Sequence, residues 1–212
     1  MSATKPVLIA SDVHFGAAPP AHEKAFMGWL LRRLVDSGLP VTLMGGNHDC
    51  WGGAYLRNEV GVEFLEEPVV RDLAGFRSLV AHGDGLGAGD HGYRVVKRVI
   101  RSGVTRTLFG LLPVAVGDRV AAGVSNTEDR WDQWGDRQVA RSEALESWAI
   151  GQLDAEPELD VVLLGHTHLP ILREVTPGRW YVNSGDWVFH QSYVTLREGT
   201  PPRVDDWRER GR

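Results

Sequence analysis

Cysteine is almost absent from this chain: Cys50 stands alone among 212 residues. One thiol excludes an internal disulfide and suits a reducing compartment. Positive charge is not in surplus either. With 23 Lys and Arg against 28 Asp and Glu, the net charge is -5, which argues against nucleic-acid binding by overall charge. No apolar run reaches the roughly 18 residues of a membrane-spanning helix. The opening Met-Ser-Ala-Thr-Lys-Pro carries no signal-peptide pattern. A cytoplasmic protein with no nucleic-acid partner is therefore expected. What is present, 42% hydrophobic and 24% charged residues, is a globular composition. A length of 212 residues fits one domain, with room for an inserted lobe.

The most informative stretch is Val41-Thr-Leu-Met-Gly-Gly-Asn-His-Asp49. β-Branched and apolar residues between Pro40 and a glycine pair predict a buried strand over 41–44. The glycines turn the chain at the strand end, where open α/β sheets place ligands. Asn47, His48 and Asp49 follow at once. Polar side chains on a tight turn after an apolar strand are costly unless they bind something. Three other predicted strands end in the same style. Residues 7–10 run into Ser11-Asp12-Val13-His14, 78–81 into His82-Gly83-Asp84, and 161–164 into Gly165-His166-Thr167-His168.

Asp12 with His14, and His166 with His168, are pairs at i and i+2, which point to one side while the backbone stays extended. Gly165 lets the chain approach a metal closely. Each motif alone has a blander reading, a turn-forming Asp or a satisfied core histidine. Four strand ends alike favour ligands. Mixed nitrogen and oxygen donors suit Mn, Fe or Zn better than Mg or Ca. Their number exceeds what one tetrahedral ion needs, which implies two. Two ions about 3.5–4 Å apart form a clamp for in-line attack on phosphorus.

Elsewhere, Phe26, Trp29, Leu30 and Leu34 form one helical stripe over 21–37, ended by Gly38 and Pro40. A short helix is expected at 54–60, and strands at 62–65, 69–70 and 78–81 with a turn near Gly75. Residues 86–150 differ in character. Arg94, Lys97, Arg98, Arg101 and Arg106 alternate with apolar residues, and no acidic residue appears until Asp118. A basic amphipathic helix of this kind either lies on an anionic membrane surface or packs its apolar face on the core. Residues 126–153 are helical in pattern, with Trp131, Trp134 and Trp148 read as packing. Antiparallel strands are expected at 171–175, 180–183 and 192–196, the first two joined at Pro177-Gly178. The charged tail after Pro201 is expected to fray.

Asp-x-His, Gly-Asn-His-Asp, His-Gly-Asp and Gly-His-Thr-His, in that order across nearly the whole chain, resemble the calcineurin-like metallophosphoesterases. The resemblance implies an α/β fold, a two-sheet sandwich flanked by helices. It implies Asp12, His14 and His168 on one ion, and Asn47, His82 and His166 on the other. His48 would face the phosphate as acid or electrostatic stabiliser, oriented by Asp49.

Within that superfamily, residues 82–93 and Val182-Asn-Ser-Gly-Asp-Trp187 resemble the UDP-2,3-diacylglucosamine diphosphatases of lipid A assembly. This implies that Asp90 and Tyr93 bind the sugar-phosphate part of a nucleotide-linked lipid. It makes residues 86–150 a helical lid within the single domain 1–212, with 94–112 at the inner-membrane surface. The reaction implied releases UMP and a lipid sugar 1-phosphate.

Two departures stand out. That family typically has Arg where this chain has His48. The superfamily's Gly-Asp-x-x-Asp strand end, whose first Asp bridges the metals, also has no counterpart. Only Glu23 and Asp36 are acidic between His14 and Asn47, and both fall in the predicted helix. One strand–helix unit of about 35–45 residues, by usual element lengths, is missing near Leu30 and Leu31. Without the bridge, repulsion opposes binding of both ions, so the second is expected to be weakly held. Two alternatives follow: a weakly active or non-catalytic metal- or lipid-binding relative, and a phosphodiesterase or nuclease of the same fold acting on a soluble substrate.

Overall fold

The computed structural model describes residues 6–12, 41–46, 63–88, 97–99, 101–113 and 136–211, with single positions at 38, 58, 94 and 116. The helix expected at 21–37 lies outside the described residues. So does the helix expected at 54–60, apart from Asn58, and so does the start of the one at 126–153. The described chain forms β1 (Val7–Ile9), β2 (Thr42–Met44), β3 (Glu63–Leu65), β4 (Val69–Leu73) and β5 (Phe76–Val80). Then come α1 (Gly103–Gly110), α2 (Asp136–Ala155), β6 (Val161–Leu164), β7 (Pro170–Thr176) and β8 (Arg179–Ser184). Last are β9 (Ser192–Arg197), β10 (Thr200–Asp206) and a 3-10 turn at Trp207–Gly211.

β6 has no polar side chain, and it sits in the middle of a five-stranded sheet ordered β4-β5-β6-β8-β7. It runs parallel to β5 and β8, while β4 and β7 are antiparallel at the rims. Side chains alternate across a strand, so β6 feeds two cores. Val162 and Leu164 meet Leu145, Ala149 and Leu153, which recur every fourth residue along one stripe of α2. Val161 and Leu163 meet Val194 and Leu196 of β9. β9 is the centre of a three-stranded antiparallel sheet, β1-β9-β10. The layers are thus helix, mixed sheet and second sheet, the α/β sandwich expected from the sequence. Each buried β6 side chain contributes about 1.5–3 kcal/mol. Trp148 packs at the edge of the α2 core. Arg179 closes α2 by donating to the carbonyl of Leu153, in the last turn that a helix end leaves unpaired, and to those of Glu156 and Leu159 just beyond it.

The charged tail does not fray. β10 pairs with β9 from Thr200 to Asp206, and a register shift between Thr200 and Arg203 absorbs the two prolines. Its charges are paired locally, Arg203 with Asp205 at 2.7 Å and Arg208 with Asp206. The strands at 7–10 and 41–44 form, but half-buried. β1 is a sheet edge, and β2 pairs, in parallel, only with β3 among the described residues.

The basic segment is not one helix. A helical piece at 97–99 gives way to a turn at Arg101 and Ser102 before α1 begins. Ser102 causes the restart, because its Oγ accepts the Thr105 N–H at 3.2 Å as an N-cap. Among the described residues no helix is long and apolar enough to cross a membrane.

Candidate metal centre

Because β5, β6 and β8 are parallel, their C-terminal ends share one edge of the sheet. The end of β1 is brought to that edge by Ser11. Its Oγ is 2.6 Å from Ser184 Oγ and donates to Gly185 O at 3.0 Å. Asp12 follows. Its Oδ2 accepts the backbone N–H of His166 at 2.9 Å. Its Oδ1 stands 3.9 Å from His82 Nε2 and 3.7 Å from His168 Nε2. Two donors each about 2.1 Å from one ion stand roughly 3–4 Å apart, and both spacings fall in that range. The His166 ring packs edge-on against His82, centroids 5.2 Å apart.

The structure therefore gathers Asp12, His82, His166 and His168. The other sequence candidates, His14, Asn47, His48, Asp49, Asp90 and Tyr93, lie outside the described residues. Among the described residues no three His, Cys, Asp or Glu side chains stand placed to hold a metal ion.

Local backbone geometry fits a ligand cradle. Asp12, His166 and His168 have φ of 53°, 69° and 61°, a left-handed conformation that costs non-glycine residues about 1–2 kcal/mol each. Such strain clusters at functional sites. Glycines press the cradle shut. A Cβ on Gly165 would lie 2.7 Å from both Asp12 Oδ2 and Ser11 Oγ, and one on Gly46 would lie 2.6 Å from the His82 ring.

The two histidines of this loop differ in protonation. Burial, with His82 beside it, pushes the His166 imidazole down to about 3, so it stays neutral as a ligand must. Burial also works against charge on His168, but the hydrogen bond to Asp186 and the charge of Asp12 outweigh it and raise the imidazole. His168 Nδ1 is 3.1 Å from Asp186 Oδ2. A proton on Nδ1 leaves the Nε2 lone pair facing Asp12. Burial would raise the carboxyl of Asp186. Hydrogen bonds from His168 and from the His190 and Phe189 N–H groups, each of the latter at 2.9 Å, hold it low instead.

Sequence reasoning gave Asp186 no role. The signal was available, since Asn183-Ser-Gly-Asp186 ends an apolar strand just as the other motifs do. Asn183 is also fully buried, and its Nδ2 donates to Gly165 O at 2.9 Å and Thr167 Oγ1 at 3.0 Å. It fixes the loop that carries both histidines.

The basic residues of the predicted lid turn inward. Arg94 donates to Gly85 O at 2.9 Å and Gly87 O at 2.6 Å, and Lys97 to Asp84 O at 2.9 Å. The buried Asp84 carboxylate is paired with Lys97 at 3.0 Å and Arg101 at 3.5 Å. Arg98 is exposed. So are Val104, Leu108 and Leu111, at 70%, 61% and 75%.

No protein-family profile matches the chain. Among curated proteins, the UDP-2,3-diacylglucosamine hydrolase of Escherichia coli O9:H4 is 29% identical over 157 residues, covering 74% of this chain and 63% of its own length. That of Salmonella arizonae is 27% identical over 194 residues, covering 88% and 75%. The chain is similar in sequence to these hydrolases. It spans less than two thirds of the Escherichia coli relative's length. Among solved structures, an archaeal phosphodiesterase aligns over 95% of this chain and 99% of its own, at 14% identity and a TM-score of 0.46. Zinc-complexed Vps29 of Entamoeba histolytica aligns over the same shares at 14% identity and a TM-score of 0.38. Likeness at that level is coarse, and the sandwich stands on its own strand order.

Proposed function

We propose that the chain is a metal-dependent phosphoester hydrolase that cleaves the pyrophosphate of UDP-2,3-diacylglucosamine to UMP and a lipid sugar 1-phosphate. One observation carries the reading. Asp12 Oδ1 faces the Nε2 atoms of His82 and His168 at 3.9 and 3.7 Å, from three separate strand ends. The name borne by the sequence relatives supplies the substrate.

Asp12, His82, His166 and His168 would hold the metal, joined by His14 and Asn47. Two divalent ions there, Mn2+ with Fe or Zn as alternatives, supply Lewis-acid activation and neutralise phosphate charge. Of the chain's own groups, His166 stays unprotonated and His168 presents Nε2 under the control of Asp186. His48 faces the phosphate and Asp49 orients it, while Asp90 and Tyr93 take the sugar-phosphate. Residues 86–150 act as the lid. The exposed apolar residues of α1 meet acyl chains at the inner-membrane surface, which makes the protein peripheral on the cytoplasmic side.

A second reading, a weakly active relative, is favoured by one observation. The bridging carboxylate of Gly-Asp-x-x-Asp is absent, and Asp84, the obvious described substitute, is already paired with Lys97 and Arg101. The second ion is then weakly held. Hydrolysis of UDP-2,3-diacylglucosamine and of bis(p-nitrophenyl) phosphate with Mn2+ separates the possibilities. Faster UMP release from the lipid supports the proposal. Turnover of the simple diester alone points to a soluble-substrate phosphodiesterase. Metal binding without either reaction points to a non-catalytic relative.

A further inference from the structure

Among the described residues β2 and β3 pair only with each other, and no strand ladder joins them to the five-stranded sheet. Yet β2 leads in sequence to Asn47 and His48, while the five-stranded sheet supplies His82, His166 and His168. Side chains reach across between these two units. Gly46 abuts the His82 ring so closely that a Cβ there would stand 2.6 Å away. Arg101 grips the same place.

Its Nη1 donates to Glu66 O at 2.6 Å, just past β3. Its Nη2 is shared among Gly45 O at 3.2 Å and Gly46 O at 3.4 Å, just past β2, and Asp84 Oδ2 at 3.5 Å, beyond β5. The side chain is only 12% exposed. Lys97 holds the same Asp84 carboxylate at 3.0 Å, and Glu67 stands 3.9 Å from Arg101 Nη1, so two cations face two carboxylates. Arg101 belongs to neither the ligand set nor the substrate contacts described above.

We infer that Arg101 is a positioning residue whose guanidinium clips the ends of β2, β3 and β5 together. The clip holds the Gly45-Gly46 turn, and thereby the approach to Asn47 and His48, against His82. This rests on the metal centre proposed above. Only a planar fork of donors reaches three loops at once; a lysine delivers a single point charge. The helix-side core of Leu145, Leu153, Val162 and Leu164 does not include Arg101. Loss of the clip therefore loosens the site edge and spares the core.

The test uses Arg101→Lys and Arg101→Gln, with Arg98→Gln as an exposed control on the same segment. Hydrogen–deuterium exchange of the metal-free protein and Mn2+ titration are read first, then kcat and KM for bis(p-nitrophenyl) phosphate. Amide exchange in peptides covering 41–46 and 82–86 is expected to rise about tenfold in both Arg101 variants, with α2 and β6 peptides unchanged. Mn2+ affinity is expected to fall about 10–100-fold, and kcat to fall with KM unmoved. Arg98→Gln keeps wild-type values throughout. Exchange that rises evenly through α2 and β6 marks a general structural role and overturns the inference. Unchanged exchange at 41–46 with unchanged Mn2+ affinity overturns it too. Exchange and metal binding need no turnover, so an inactive wild type refutes the proposed hydrolysis and leaves this test standing.

Discussion

His168 Nδ1 and Asp186 Oδ2 stand 3.1 Å apart, and the other ring nitrogen of His168 faces Asp12 at 3.7 Å. The buried carboxylate thus fixes the ring so that Nε2 faces Asp12, the nitrogen that the proposed metal centre would use. Asp186→Asn keeps the shape and removes the charge. Its Mn2+ affinity, measured by equilibrium dialysis, is expected to fall about 10–100-fold. Wild-type affinity in that variant would show that Asp186 does not orient the ligand.

The same pair sets a pH window in the metal-free protein. Asp186 is held low in the fold. Its contribution is present above the ordinary carboxylate value and is lost as pH falls through the lowered one. His168 is raised, so its contribution is present below the ordinary imidazole value and is lost as pH rises through the raised one. The pair therefore stabilises most between about pH 4 and 6.5, the ordinary values of the two groups. With chelator present, the Tm gap between wild type and Asp186→Asn should be widest there and narrow on both sides. A gap that ignores pH would contradict the pairing.

The Gly165 contact predicts a steric outcome. Gly165→Ala forces a methyl against Asp12 Oδ2 and Ser11 Oγ, each 2.7 Å from the new Cβ. Overpacking of this kind costs about 1–3 kcal/mol, and here it also displaces Asp12, a proposed ligand, so Mn2+ binding should weaken. Gly151→Ala, on α2 with nothing within 4 Å, is the control. It should raise stability by up to about 1 kcal/mol and leave metal binding unchanged. A neutral Gly165→Ala would mean the cradle is looser than it stands here.

Strand ends were legible in the sequence because an apolar run that stops in His, Asp or Asn announces both a strand and a site. Residues 161–168 show this most clearly: the strand forms at 161–164, and the fold brings Asp12, His82 and His168 to one sheet edge. Asp186 carries the same strand-end signal, but its pairing with His168 depends on the fold bringing the two together. The inward turn of Arg94, Lys97 and Arg101 left little trace, since most of the acceptors are backbone carbonyls. β10 was obscured by prolines and by charges that pair with one another.

That inward turn changes the expectation for membrane binding. With three of the basic residues engaged, contact with vesicles should depend on Val104, Leu108 and Leu111 more than on charge. Leu108→Glu with Leu111→Glu should abolish co-sedimentation with phosphatidylglycerol vesicles, and moderate salt should weaken wild-type binding only slightly. Binding that salt removes and the double variant keeps would restore the electrostatic picture.

In the proposed function Asp12, set between His82 and His168, organises a metal centre that hydrolyses a phosphoester. The most direct measurement is the rate of UMP release from UDP-2,3-diacylglucosamine by wild type and Asp12→Ala, with and without Mn2+. Wild type should release UMP only with Mn2+, and Asp12→Ala should be slower by more than the roughly 10–100-fold typical of losing a group that merely supports a ligand. Equal Mn2+-dependent release by the two proteins would contradict the account.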